Sequence, residues 1–329
     1  MKYKQLGRTG VRVSTIGVGT ATLGVAPLEK DADRIVGRAL ELGINVLDCA
    51  NSYGNQPRFD RPTAPPANER PSAEEILGKV LRGGRRKEVV LSSKVMERVG
   101  PGVNDCGLSR RHIFQQLEES LRRLQTDHID LYYAHHPDAT TPIEETVRAF
   151  DDLVRQGKIR YGALSTYTAW QLVDAQWKAE RLGAQPFCAV QTPYNLTARG
   201  FEADLIPAAL AHSVSMIVFS PLAGGILANR AVRQREFGGA KRWGGRDFTA
   251  EQIEIADQLE KMANETGHRV SHLALAWLAA QPVVASAIMG AESLEELEEN
   301  AAAGDVELRP EVLAAVNEIN KPGPPRFGG

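Results

Sequence analysis

Three polar side chains stand where short apolar runs stop. Asp48 follows Asn45-Val46-Leu47, Lys94 follows Val90-Leu91-Ser92-Ser93, and His135 follows Leu131-Tyr132-Tyr133-Ala134; Tyr53 comes shortly after Asp48. A phenol titrates at about 10 and is a poor acid at neutral pH. A neighbouring lysine ammonium favours the phenolate and lowers that value, and a carboxylate holds the ammonium in place. An imidazole hydrogen-bonds a carbonyl oxygen and orients it. Together these groups can protonate a carbonyl oxygen while hydride reaches its carbon, with a hydride source that no side chain supplies. Each residue alone says little: a strand-end Asp is often structural, a lone Lys is usually solvated, and a lone His is more often packed. Their placement in separate strand units is what points to chemistry.

The elements that must hold them alternate short apolar runs with longer amphipathic stretches. Runs at 14–19, 44–48, 89–94, 129–135, 159–165, 189–192, 216–220 and 285–289 predict strands, continuous enough in apolar character for parallel strands buried on both faces. Ile113, Leu117, Leu121 and Leu124 recur at helical spacing behind Ser109 as N-cap, and Thr141-Pro142 ahead of Glu144-Glu145 reads as a cap with proline in the first turn. Trp170, Val173 and Trp177 form another stripe, as do Ile255, Leu259 and Met262. Eight such alternations predict a (β/α)8 barrel, one domain over residues 1–329, with an N-terminal β-hairpin closing its bottom. In that architecture strand C-terminal ends converge on one face, so Asp48, Lys94 and His135 become neighbours, with Tyr53 on the loop above. Long loops at 54–70 and 228–248 belong to the same face; the first, carrying Pro57, Arg58, Phe59 and Arg61, either rims a substrate pocket or is a disordered insertion.

Bulk properties remove several alternatives. With 329 residues, 43% of them hydrophobic and 24% charged, the chain has the balance of a folded protein able to bury a large core. A formal net charge of −2 gives no field for nucleic acid or an anionic membrane, and Arg85-Arg86-Lys87 and Arg110-Arg111 read as solvated helix flanks. Cys49, Cys106 and Cys188 show no metal-ligand or disulfide spacing, which suits reduced thiols in the cytoplasm. The N-terminus lacks a signal-peptide core, and no apolar run is long enough to span a bilayer. Gly17-x-Gly19 is not a dinucleotide fingerprint, because Gly24 is too distant and no acid follows at the usual offset.

At these residues the sequence resembles the aldo-keto reductases over almost its whole length, in particular bacterial members related to potassium-channel β subunits. Tyr3-Lys4-Gln5-Leu6-Gly7-Arg8-Thr9-Gly10 is similar to the family's leading hairpin, and Gly43 through Gly54 to its Asp-and-Tyr signature. Val90-Leu91-Ser92-Ser93-Lys94 and Ile129 through Asp138 resemble its Lys and His strands. The resemblance implies a catalytic tetrad of Asp48, Tyr53, Lys94 and His135, with His135 chosen over His136 because the motif sets the imidazole two residues before the proline. It also implies a nicotinamide cofactor. Ser165 and Thr166 stand where a Ser-Asn pair grips the carboxamide, with Thr166 departing from the Asn. Gln191 is the next carboxamide partner, and Phe219 the ring that stacks on nicotinamide. Ser220, Pro221, Leu222 and Gly224 belong to the pyrophosphate loop. Gly290, Glu292, Glu296, Glu299 and Asn300 lie in the segment for the adenosine end.

Glu292 and Glu296 occupy positions where NADP-preferring members place basic or neutral groups. A carboxylate repels a 2′-phosphate and accepts from a free ribose hydroxyl, which favours NAD(H). The family's general preference and the basic Lys241, Arg242 and Arg246 favour NADP(H), and the balance falls narrowly on NADP(H). The expected partner is a small carbonyl or alcohol substrate, without nucleic acid, membrane or metal, and with a homo-oligomer admissible. Two other readings stand beside an NAD(P)-dependent carbonyl reductase: a cofactor-binding regulatory subunit, and an unrelated barrel enzyme such as a glycosidase, which a single strong strand-end acid supports poorly.

Overall fold

The computed structural model describes residues 1–235 and 247–323. Strands β1 (Tyr3–Gln5) and β2 (Arg12–Ser14) pair antiparallel, Tyr3 opposite Ser14. All eight sequence-predicted runs are strands: β3 (Ile16–Gly19), β4 (Val46–Asp48), β5 (Val90–Val95), β6 (Ile129–Ala134), β7 (Ile159–Ser165), β8 (Ala189–Pro193), β9 (Ser215–Phe219) and β10 (Val284–Met289). They close a parallel barrel in chain order, with β10 pairing both β9 and β3. Helices between the strands coat the outside. The chain therefore forms a (β/α)8 barrel with a leading hairpin.

Register decides which side chains look inward. Asp48 pairs with Ser92, so the period-two alternation of β5 puts Lys94 on the same interior face one step higher. Ser165 pairs with Gln191 by the same rule. Below this polar layer the barrel is filled by Val46, Leu131, Tyr133, Ile217 and Ile288, and Leu6 and Val13 of the hairpin segment plug the bottom. The interior is thus a packed core, and only its upper end is polar.

Helix Arg110–Leu124 starts as expected: Ser109 Oγ accepts from His112 N, and Ile113, Leu117, Leu121 and Leu124 are buried. Two local expectations are corrected. Helix Ile143–Arg155 begins one residue late, with Pro142 itself at the cap, because the Thr141 hydroxyl is drawn to Asp138 Oδ2 at 2.7 Å. The Trp170–Val173–Trp177 stripe faces outward, with Trp170 69% and Trp177 47% exposed, while Leu172, Ala175 and Ala179 make the packed face of helix Ala169–Arg181. Small residues seat that helix closely on the barrel, and the bulky ones are left outside. Among the described residues no helix is long and apolar enough to cross a membrane.

Candidate functional site

The four residues singled out by sequence meet at the upper end of the barrel. Lys94 is fully buried, and its ammonium donates to Asp48 Oδ2 at 2.6 Å and to the Cys49 carbonyl at 2.8 Å. Asp48 Oδ1 accepts from Ser92 Oγ at 2.7 Å and Gln191 Nε2 at 2.9 Å, so both carboxylate oxygens are satisfied by donors from β5 and β8. Lys94 Nζ lies 4.7 Å from the centre of the Tyr53 ring, and the Tyr53 and His135 rings meet edge to face at 5.8 Å and 75°. Tyr53, Asp48 and His135 line the cleft above, while Lys94 lies beneath its floor. Gly54 fixes the turn that presents Tyr53. Its φ is +89°, and a Cβ there would stand 2.7 Å from Ala73 N and 2.8 Å from Leu23 O.

The electrostatics correct one expectation. Burial pushes the Tyr53 phenol above its ordinary value; the Lys94 ammonium opposes this and the Asp48 carboxylate adds to it. The cation has the anticipated sign but is outweighed, because desolvating a phenolate costs more than one partly neutralised ammonium returns. For Lys94 burial alone is unfavourable, yet the Asp48 carboxylate and the phenol leave it raised, so it stays charged. His135 is held well below the ordinary imidazole range by burial, then by the charges of Lys94, His136 and Arg58, and is neutral at pH 7. Its buried Nδ1 has no hydrogen-bond partner among the described residues. The floor thus offers a protonated phenol above a fixed ammonium, flanked by a neutral imidazole.

From this floor a cleft of about 500 Å³ runs along the strand ends. It is lined by Ser165, Thr166, Gln191, Phe219, Ser220, Pro221, Leu222 and Gly224, then by Gly290, Glu296, Glu299 and Asn300. Every residue carried over from the resemblance for a cofactor is present except Glu292, which does not line it. The segment after β9 curls through left-handed backbone at Ser220, Ala223, Gly224 and Gly225 (φ 52°, 49°, 70° and 102°), a shape that turns amide groups toward an anion. Its volume and the anion-facing turn after β9 suit a dinucleotide, although the Gln191 amide nitrogen is already committed to Asp48.

Thr166 behaves differently from an Asn in its place. Its Oγ1 lies 2.7 Å from the Ser165 carbonyl, 3.3 Å from the His135 carbonyl and 2.7 Å from His136 Nδ1. Its hydroxyl is thus shared between the main-chain carbonyls and the His136 ring. The other ring nitrogen, Nε2, donates to Glu97 Oε1 at 3.0 Å. Glu97 is held below the usual carboxylate range by that hydrogen bond, against its burial. The sequence reading passed over Glu97 and His136, although an acid just beyond β5 and a second histidine beside His135 were signals of the same kind. Ligand atoms of Glu97, His135 and His136 fall within 4.8 Å of one another, and the two histidine rings stack in parallel at 7° and 4.7 Å.

The two long loops meet at the far end of the cleft. Arg61 approaches Glu292 Oε1 at 3.4 Å, and Arg235 pairs with Glu296 and stands 3.9 Å from Glu292 Oε2. Glu292 N donates to Glu296 Oε2 at 3.0 Å. The acids read from sequence as free toward a ribose are therefore ion-paired. Lys241, Arg242 and Arg246 lie outside the described residues. Glu299 is engaged by Arg269 at 2.6 Å and Ser271 at 2.8 Å.

Residues 15–321 match the family described as Aldo/keto reductase family. The chain is 38% identical to a Bacillus subtilis protein named "Uncharacterized oxidoreductase YrpG", covering 98% of this chain and 97% of that one. It is 34% identical to the Arabidopsis thaliana "Probable voltage-gated potassium channel subunit beta", covering 99% and 98% respectively. It is also 32% identical to "Aldo-keto reductase AMT2" of Alternaria alternata, over 98% of this chain and 93% of that protein.

Proposed function

Because the chain belongs to the aldo/keto reductase family, a family of oxidoreductases, we propose that it interconverts an aldehyde or ketone and an alcohol with a nicotinamide dinucleotide, Tyr53 acting as general acid and base. The observation that carries this reading is the buried Lys94–Asp48 pair directly beneath Tyr53 at the cleft floor. A bound nicotinamide supplies the hydride. Ser165 and Gln191 would hold its carboxamide and Phe219 its ring face; Ser220, Pro221, Leu222 and Gly224 would hold the pyrophosphate. Gly290, Glu296, Glu299 and Asn300 would hold the adenosine end, with Glu292 steadying it from behind. Thr166, its hydroxyl spent on His136 and main-chain carbonyls, serves the cleft wall instead.

His135, neutral, orients the substrate carbonyl. Tyr53 gives its proton to the carbonyl oxygen, and Lys94 stabilises the phenolate left behind. The ammonium does not pre-ionise the phenol; it acts as charge develops, which is where an electrostatic group lowers a barrier. In the oxidative direction the same phenolate accepts the proton. The chain acts in the cytoplasm as one barrel domain over residues 1–329, a reading supported by its near-neutral charge and by the three free cysteines among the described residues.

Turnover tests the reading directly. Cofactor should quench the protein's fluorescence and then be oxidised by an aldehyde panel; quenching without oxidation would instead favour a regulatory subunit, the role in the name of the Arabidopsis relative. NADPH should bind more tightly than NADH, because Arg61 and Arg235 neutralise the carboxylates that would repel a 2′-phosphate. Tighter NADH would reverse that preference.

The pH profile of reduction follows from the two shifts. The active phenol is protonated, so rate is lost as pH rises through a value raised above 10. The active imidazole is neutral, so rate is lost as pH falls through a value depressed well below 6.5. Reduction at saturating cofactor should be flat from about pH 6.5 to 9. A single midpoint near neutrality would contradict the assignment.

A further inference from the structure

Loop 54–70 is fastened, and it sets one cation at the cleft. The buried Arg70 guanidinium donates to the carbonyls of Gly54, Gln56 and Pro65 and to Asp60 Oδ1. Phe59 is buried, and Pro57–Phe59 is a single 3-10 turn. Of the four residues that the sequence put forward as substrate contacts, Arg58 alone lines the cleft: Phe59 is an anchor and Arg61 reaches Glu292. Arg58 stacks over the Phe59 ring at 5.0 Å, is exposed, and makes no ion pair among the described residues.

We propose that Arg58, backed by the His136–Glu97 pair, is a recognition site for an anionic group, a carboxylate or a phosphate ester, carried by the carbonyl substrate. This rests on the reading that the cleft reduces carbonyls. Of the cleft acids Asp48 and Glu97, Glu97 is engaged by His136 at 3.0 Å and the Asp48 carboxylate is matched by Lys94. Neither carboxylate takes Arg58 as an ion-pair partner, so its guanidinium faces the cleft close to His135. A guanidinium presents two parallel N–H groups that match a carboxylate or phosphate, and stacking on Phe59 fixes its plane. A substrate with its carbonyl on Tyr53 would bring its acidic arm to Arg58 at the cleft mouth.

The test compares one aromatic skeleton in three charge states: 4-formylbenzoate, 4-formylphenyl phosphate and methyl 4-formylbenzoate. At least one anion should exceed the ester in kcat/KM by tenfold or more, and which anion does so identifies the preferred group. In Arg58→Gln that anion-to-ester ratio should collapse at least tenfold, mainly through KM, and Arg58→Lys should keep part of it. An ester reduced as well as both anions overturns the proposal. So does an equal loss for all three in Arg58→Gln, or a weakened cofactor Kd in that variant, which would hand Arg58 to the cofactor. If nothing is reduced, the catalytic reading fails separately, and calorimetry with 4-(hydroxymethyl)benzoate against its methyl ester then decides. Tighter, Arg58-dependent binding of the acid supports the site, and equal binding overturns it.

Discussion

Replacing Tyr53 by phenylalanine should cut carbonyl reduction by about 10²- to 10⁴-fold, the range a positioned general acid contributes. Only the hydroxyl is removed. The ring keeps its edge contact with His135 and its place above Lys94 Nζ, so the cleft wall stays in shape. Lys94 stays tied to Asp48 and the Cys49 carbonyl, leaving no buried charge stranded. Cofactor Kd should stay within about twofold and the unfolding midpoint within about 1 kcal/mol of the parent, because the phenol enters neither the dinucleotide cleft wall beyond Phe219 nor the hydrophobic core as a hydrogen-bond donor. Steady-state kinetics beside fluorescence titration read both quantities. Reduction at the parent rate would remove Tyr53 from the chemistry, whereas a rate loss matched by lost cofactor affinity would make it a packing residue.

How much of this was readable from residues alone depended on the kind of force involved. The barrel strands were legible because runs such as Val284–Met289 are mostly apolar, buried on both faces and stop at a glycine. Their parallel order then carried Asp48, Lys94 and His135 to one end without any side-chain detail. Periodicity failed at Trp170, Val173 and Trp177, because a spacing shows that a helix has an apolar stripe and not that the stripe is the packed one. Leu172, Ala175 and Ala179 make an equally regular stripe, and close approach to the barrel selected it. The direction of the Tyr53 shift was illegible for another reason: it is a difference between burial and two opposite charges, and burial is set by the whole fold. The partners of Glu292 and Glu296 were hidden because Arg61 and Arg235 sit on loops, where no period foretells which side chains meet.

Lys94→Met should be the more damaging change to the fold and should also slow the enzyme. Methionine nearly matches the lysine stem in length, so the packing loss is small, but Asp48 is left as a buried carboxylate with only Ser92 and Gln191 as donors. Removing one member of a buried pair costs about 3–5 kcal/mol, and the two remaining hydrogen bonds put this case at about 3 kcal/mol. A urea midpoint measures it. Turnover should fall by about 10²- to 10³-fold, because the phenolate formed on proton donation loses the charge that stabilises it. The double variant Asp48→Asn with Lys94→Met separates the two roles. It deletes the stranded charge, and stability should recover by roughly 1–2 kcal/mol, since an amide is far cheaper to bury than an unpaired carboxylate. Turnover should not recover, because the cation is still missing. Were the double variant to regain activity along with stability, Lys94 would be a structural ion whose only task is to keep Asp48 paired. Were the single variant as stable as the parent, the carboxylate would be protonated or hydrated, and the electrostatic account of the site would have to be rebuilt around Tyr53 and His135 alone.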